Sequence, residues 1–384
     1  DLMNFDLTDE QQMLNDSLRR FVTNEYSFEK RSTFIESGNG TDPNTWAALA
    51  DMGLLAFTFP EAFGGLDGNA VDTMVVMENF GRGLVVEPYL ATVVLAGGLI
   101  RDVGNDSQKD EYLTAIASGE RKMAFAHYEP GARYNLSQVQ TTARKDGDHF
   151  MVSGQKTAVI HGGQADQLVV SARTSGNTND ETGLSLFIVD ANAKGVKIDD
   201  YAAHDGYRIA DISFSNVAVS ADNLLGELDQ AFPHIEKATD LGIAAVCAEA
   251  VGAMEAMNET TLDYIKTRKQ FGVPIGKFQV LQHRMADMFI QTEQSKSMAI
   301  LAANTADSDD QAQRRNALSM AKTLVGQGAR YVAQEGVQLH GGMGVTDEMF
   351  AAHMFKRLTT INLLFGDADH HLAQVSDGLL AASA

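Results

Sequence analysis

The residues best suited to chemistry lie in two stretches, Arg268-Lys-Gln-Phe-Gly-Val-Pro-Ile-Gly-Lys-Phe-Gln279 and Gln338-Leu-His-Gly-Gly-Met-Gly344. The first supplies a fixed cation, Arg268, a planar aromatic, Phe271, and two glutamines, Gln270 and Gln279, with Ile275 as an apolar neighbour. The second supplies Gln338 and Leu339, then Gly341 and Gly342, glycines that let a backbone approach a bound group closely. A cation, an aromatic face, amides and bare backbone together make the chemistry of an adenine-plus-pyrophosphate site. Other candidates carry less. His370-His371 with Asp367 and Asp369 suggest metal, but adjacent residues point apart and no second cluster shows ligand spacing, so no metal is expected. Cys247 sits in a small-residue helical run with no cation nearby in sequence and reads as a buried, inert thiol.

The surrounding chain must position these stretches. From about Phe5 to Glu120 the pattern is helical: Thr8 caps a helix with Met13, Leu14, Leu18, Phe21 and Val22 on its apolar face. Trp46, Leu49 and Ala50 mark a short helix ending near Gly53, and Phe59-Pro-Glu-Ala-Phe-Gly-Gly forces a loop. Between Lys122 and Gly226 the period becomes β-type, in Phe150-Met-Val, Leu168-Val-Val-Ser-Ala, Leu184-Ser-Leu-Phe-Ile-Val and Ile212-Ser-Phe. After Asp229 helices return in three stripes: Val251, Met254, Leu262, Ile265; Leu281, Met285, Met288, Phe289; and Ala317, Ala321, Leu324, Gly328, Val332. The expectation is an α+β chain of three parts: an N-terminal helical domain over 1–121, a middle β-barrel-like domain over 122–226, and a C-terminal four-helix bundle over 227–384.

Composition narrows the function classes. At 384 residues and 44% hydrophobic the chain can bury a large core. Its formal charge of -21 argues against nucleic acid or an anionic membrane as partner. No apolar run is long enough to span a membrane and no signal sequence opens the chain, while a single cysteine suits a reducing cytoplasm.

The two opening stretches, and the helical, β, helical order, resemble the acyl-CoA dehydrogenase family. The resemblance implies FAD as cofactor, with Arg268, Phe271, Gln279, Gln338 and Gly342 reaching across a subunit interface to its ADP half, and Gln270 and Leu339 as wall contacts. It implies α,β-dehydrogenation of an acyl-CoA, with an electron-transferring flavoprotein as acceptor. That chemistry needs a flavin ring pocket and a carboxylate base, and here the family pattern breaks. The loop that would hold the ring is Tyr128-Glu-Pro-Gly-Ala-Arg-Tyr-Asn135, with Arg133 and Tyr134 in place of small residues. The strand Lys156-Thr-Ala-Val-Ile160 puts Ala158 where a Trp would cover the flavin and Ile160 where a Thr would bond it. Phe365 stands at the usual catalytic Glu and Gly242 at the alternative site, so no catalytic residue is assigned. Arg133 is expected to plug the ring cavity, paired with a carboxylate such as Glu129, in preference to the alternative of contacting a CoA phosphate.

A preserved ADP half beside a spoiled ring half makes sense if two homologous chains share each FAD. The details resemble small subunits of α2β2 acyl-CoA dehydrogenases of the pimeloyl-CoA or steroid side-chain type. The expected partners are therefore a homologous large subunit and an acyl-CoA. Two alternatives stand beside this: a self-sufficient homo-oligomer using Asp367 or Glu249 as base, or an interaction protein that has lost flavin.

Overall fold

The computed structural model describes residues 5–383. Helices α1 (Asp9–Glu25), α2 (Phe28–Ser37), α3 (Pro43–Asp51) and α4 (Ala70–Gly83) open the chain. A wide-turned π-helical stretch over Leu90–Gly97 runs into α5 (Gly98–Val103), and α6 (Asp106–Gln108) and α7 (Thr114–Ala117) follow. The strands are β1 (Met123–Ala126), β2 (Thr142–Asp146), β3 (His149–Ile160), β4 (Gln167–Arg173), β5 (Leu184–Asp190), β6 (Val196–Ala202), β7 (Arg208–Ser220) and β8 (Leu224–Leu225). The long α8 (Phe232–Thr267) leads to a hairpin of β9 (Lys269–Gln270) and β10 (Val273–Pro274). Helices α9 (Gln279–Thr305), α10 (Gln311–His340), α11 (Phe350–Leu363) and α12 (Ala368–Ser383) complete the chain.

These elements form two compact units, each gathered from separate stretches: residues up to 32, 69–85 and from 243 onward in one, and 33–68 and 86–242 in the other. In the second unit the strands make an eight-stranded sheet in the order β6-β7-β3-β2-β4-β5-β8, with β1 added parallel to β4. Its core of Phe150, Val152, Leu168, Val170, Phe187, Val189, Ile212 and Phe214 comes from the β-type runs read in the sequence. The proline and paired glycines after Phe59 form a turn: Gly64 has φ +84°, and a Cβ on Gly65 would collide with the Phe59 carbonyl.

In the first unit Thr8 caps α1, accepting from the Gln11 amide at 3.1 Å while the Gln11 side chain accepts from the Thr8 amide. Leu18 and Val22 are buried as expected, but Met13 on the same stripe is exposed. Helices α4 and α8 cross in near backbone contact, because a Cβ on Gly81 would strike the Glu249 carbonyl and one on Gly252 the Glu78 carbonyl. Two expected core positions, Leu262 and Phe289, are exposed instead. Helical spacing marks an apolar face without saying what covers it.

Candidate cofactor site

The first stretch is built on the end of α8. The Arg268 amide donates to the Tyr264 carbonyl at 2.8 Å, closing the last helical turn, and the Ile275 amide donates back to the Arg268 carbonyl at 2.9 Å. Between them β9 and β10 pair Gln270 with Val273 and Lys269 with Pro274, leaving Phe271 and Gly272 as the two turn residues. Both have positive φ, +54° and +79°, the mirror-image turn whose twist suits a tight hairpin. Glycine does this freely. A phenylalanine does not, and a bulky side chain in this region is a genuine outlier. Phe271 is also 90% exposed, its ring edge-on to that of Phe278 at 6.1 Å. Neither core packing nor turn preference accounts for it, and strain of this kind collects at sites that contact something else.

The second stretch ends α10. Gly341 takes φ +61° and ψ −144°, a conformation for glycine alone, and neither Gly341 nor Gly342 would place a Cβ within 4 Å of any atom. The bare backbone faces open space. The ends of α8 and α10 that carry the two stretches are in contact, the Tyr264 ring lying 4.5 Å from that of His340 at a tilt of 30°. His340 donates Nδ1–H to the Gly336 carbonyl at 2.7 Å, and burial lowers its pKa against the pull of that hydrogen bond.

Of the nine residues proposed from sequence, Arg268, Gln270, Phe271, Gln279, Gln338, Gly341 and Gly342 are exposed, and Ile275 is half-buried. Leu339, proposed as a wall contact, is 5% exposed and packed into the bundle. The signal that linked the stretches was Tyr264, one turn before Arg268, and periodicity gave it no special mark.

The residues expected to receive a flavin ring lie in the other unit and are differently engaged. Glu129 does not pair with Arg133. It accepts from Lys156 Nζ at 2.7 Å and from the amides of Gln140 and Thr141. Lys156 is fully buried and also donates to the His127 carbonyl and to Ser171. Burial pulls Lys156 down to about 8 and, with the neighbouring Lys156 charge, pulls His127 down to about 3. Arg133 is exposed at φ +50° and plugs nothing, because the buried carboxylate already had its cation.

Ala158 sits at φ +50° in a bulge between Lys156 and Val159, and is exposed. Its amide donates to Asp211 Oδ1 at 3.0 Å, which also accepts from the Thr157 hydroxyl at 2.8 Å and the Tyr201 hydroxyl at 3.2 Å. The bulge amide is therefore satisfied by a carboxylate of the same chain. Asp211, which the sequence reading passed over, is one polar residue in an alternating strand and carried no distinguishing signal.

The positions weighed for a base are committed elsewhere. Glu249 is buried in a two-point ion pair with Arg357, at 2.7 and 2.9 Å. Asp367 accepts from the His370 amide at 2.8 Å and caps α12, as its loop placement suggested. Phe365 is buried at φ +58°, in a loop pinned by Lys322 Nζ donating to the Gly366 and Asn362 carbonyls at 2.6 and 3.0 Å. His371 braces the same loop from Ser319 and the Phe365 carbonyl. Lys322 also acts on Cys247, so that thiol does have a cation near it; burial still pushes it up to about 12. A lysine amid the small residues of α10 was the available clue to this brace. No group of side chains placed to hold a metal occurs among the described residues.

Family models cover nearly all of this architecture: acyl-CoA dehydrogenase N-terminal domain over residues 8–120, middle domain over 124–217 and C-terminal domain over 232–380. The probable acyl-CoA dehydrogenase YngJ of Bacillus subtilis is 30% identical over 92% of this chain and 93% of its own. A 3-(aryl)acrylate reductase of Clostridium sporogenes is 31% identical over 86% and 89%. Among solved structures, a variant of the Tcur3481-Tcur3483 steroid ACAD superposes with a TM-score of 0.86 at 27% identity, over 98% of this chain and 99% of that one. The chain belongs to the acyl-CoA dehydrogenase family, FAD-dependent oxidoreductases acting on CH–CH bonds of acyl-CoA thioesters. Its fold is the family's: N-terminal helices, a middle β domain and a C-terminal helical bundle. No helix among the described residues is long and apolar enough to cross a membrane.

FAD is the family's cofactor, and the residues present fit one part of it better than the other. The cation, the exposed ring of Phe271 and the open glycine backbone suit a nucleotide diphosphate. At Ala158 the free amide and aromatic cover that an isoalloxazine would use are absent, and a carboxylate stands there instead.

Proposed function

We propose that this chain is the FAD-sharing subunit of a heteromeric acyl-CoA dehydrogenase. It supplies the ADP-half site, through Arg268, Gln270, Phe271, Gln279, Gln338, Gly341 and Gly342, to a homologous large subunit that carries the ring pocket and the base. The observation that carries this reading is the strained, 90% exposed Phe271 beside unobstructed glycine backbone, in a chain whose candidate carboxylates are all tied up. The two-chain name of the similar steroid ACAD supports it. The substrate is then an acyl-CoA bound mostly by the large subunit, electrons leave to an electron-transferring flavoprotein, and a cytoplasmic setting suits the single buried thiol.

The self-sufficient reading is tested through Asp367. Asparagine keeps the cap on α12 but cannot take a proton. In the co-expressed assembly Asp367→Asn should leave acyl-CoA turnover within about twofold, whereas Arg268→Ala should lower flavin retention. Loss of turnover with Asp367→Asn at full flavin content would make this chain its own catalyst.

A further inference from the structure

A cavity of about 690 Å³ lies in the first unit between the segment at Phe5 and helices α1, α4, α8 and α9, on residues none of the preceding chemistry uses. Charged groups of both signs line it. Its cations are Arg19 on α1, Arg82 on α4 and Lys296 on α9, and all three are engaged. Arg82 pairs with Glu255 at 2.9 Å and Glu259 at 2.7 Å, Lys296 with Glu255 at 2.9 Å, and Arg19 with Glu259 at 3.8 Å. Against them stand five carboxylates, those of Asp6, Glu78, Glu255, Glu259 and Glu293. With every carboxylate ionised the lining is net negative by two, and an anion is disfavoured.

The groups left without a protein partner are acceptors. Among the described residues neither Glu78, set between the helices, nor Glu293, exposed at the mouth, has an ion-pair or hydrogen-bond partner for its carboxylate. Asn258 gives its Nδ2 to Thr292 at 2.9 Å while its buried Oδ1 accepts nothing. An occupant must bring N–H donors and positive charge. The remaining lining mixes the polar side chains of Gln12, Asn15, Asn79 and Thr292 with apolar ones, Met74 and Val75 buried on α4 and Phe289 and Ile300 on α9. The apolar strip of Met74 and Val75 suits a methylene chain between charged ends, whereas a hard metal ion needs oxygens all round it, and no metal-holding group occurs among the described residues.

We propose that this cavity binds an aliphatic polyamine, with ammonium groups on Glu78 inside and Glu293 at the mouth and the carbon chain along Met74 and Val75. The site is independent of the FAD-sharing reading. Burial, reinforced by Glu255, raises Glu78 to about 7, against the pull of Lys296, Arg82 and Arg19. Near neutrality Glu78 therefore holds its proton part of the time, and an arriving ammonium expels it.

The test is calorimetric titration of the full chain with spermidine at about pH 6.5 and 8.5, in buffers of differing ionisation enthalpy, so that released protons are counted. One spermidine should bind per chain, releasing more than about half a proton at the lower pH and almost none at the higher. Glu78→Gln should weaken binding at least about tenfold and abolish the release; Glu293→Gln should weaken it several-fold and keep the release. Arg268→Ala should change neither. Tetramethylammonium at matched ionic strength has no N–H to give and should show no saturable heat. The proposal fails if spermidine and tetramethylammonium behave alike. It fails also if Glu78→Gln, or Glu293→Gln should the first not fold, binds as tightly as the parent chain.

Discussion

The substitution Phe271→Asn separates what Phe271 does for the fold from what it does for a ligand. In the folded chain the residue sits at φ +54°, which costs a non-glycine residue about 1–2 kcal/mol. Asparagine followed by Gly272 is a preferred pair for this mirror-image turn and removes most of that cost. The loss on the other side is small, since the ring is 90% exposed and its edge-on contact with Phe278 contributes about 0.5–1 kcal/mol. The isolated chain should gain about 1 kcal/mol in urea unfolding followed at the helical signal. Binding should move the other way. An aromatic platform under a base contributes about 1–3 kcal/mol, so the assembled protein should hold FAD about 5- to 150-fold more weakly in equilibrium dialysis. A chain destabilised by Phe271→Asn would mean that the ring packs within its own subunit, and unchanged FAD affinity would mean that its exposure serves something else.

Two neighbouring glycines should divide the same way. Gly341→Ala puts a Cβ on φ +61° and should cost about 1–3 kcal/mol in denaturant unfolding, while Gly342→Ala meets open space and should unfold within about 0.5 kcal/mol of the parent yet retain less flavin. Glu87 supplies a pH test. Burial raises it to about 7 although Thr41 and the Asp42 amide donate to it. Its pKa is higher folded than unfolded, so the stability it lends is complete below the unfolded value and is lost as pH rises through about 7. Stability relative to Glu87→Gln, measured by urea midpoints from pH 5 to 8, should therefore fall by on the order of 2–3 kcal/mol. A flat difference would show that Glu87 titrates normally.

The sequence disclosed the fold class because its signals are local. The near-continuous apolar run Leu184–Val189 marks a strand buried on both faces, three- and four-residue spacing along α8 and α10 marks an apolar stripe, and nearly all those positions are buried. It disclosed Arg268, Gln338 and the glycines because unusual residue types cluster there. Relations across the chain stayed hidden. The sequence places Leu339 next to exposed Gln338 and does not show that the turn of α10 buries it. Arg133 and Glu129, close together in one loop, look like partners until Lys156, far along the chain, takes the carboxylate. Phe289 and Leu262 obey the helical period and still face outward, since periodicity cannot reveal where a chain stops covering itself. The strain at Phe271 was invisible too, because a backbone angle follows from the hairpin's register and not from the residue's own preference.

The central claim concerns where one cofactor divides between two proteins. Flavin counted by absorbance against total protein, for this chain expressed alone and for the assembly with its homologous partner, tests it most directly. The account predicts almost no flavin on the lone chain and one FAD per pair of homologous chains in the assembly. A lone chain purified with one FAD per polypeptide and able to oxidise acyl-CoA would contradict it.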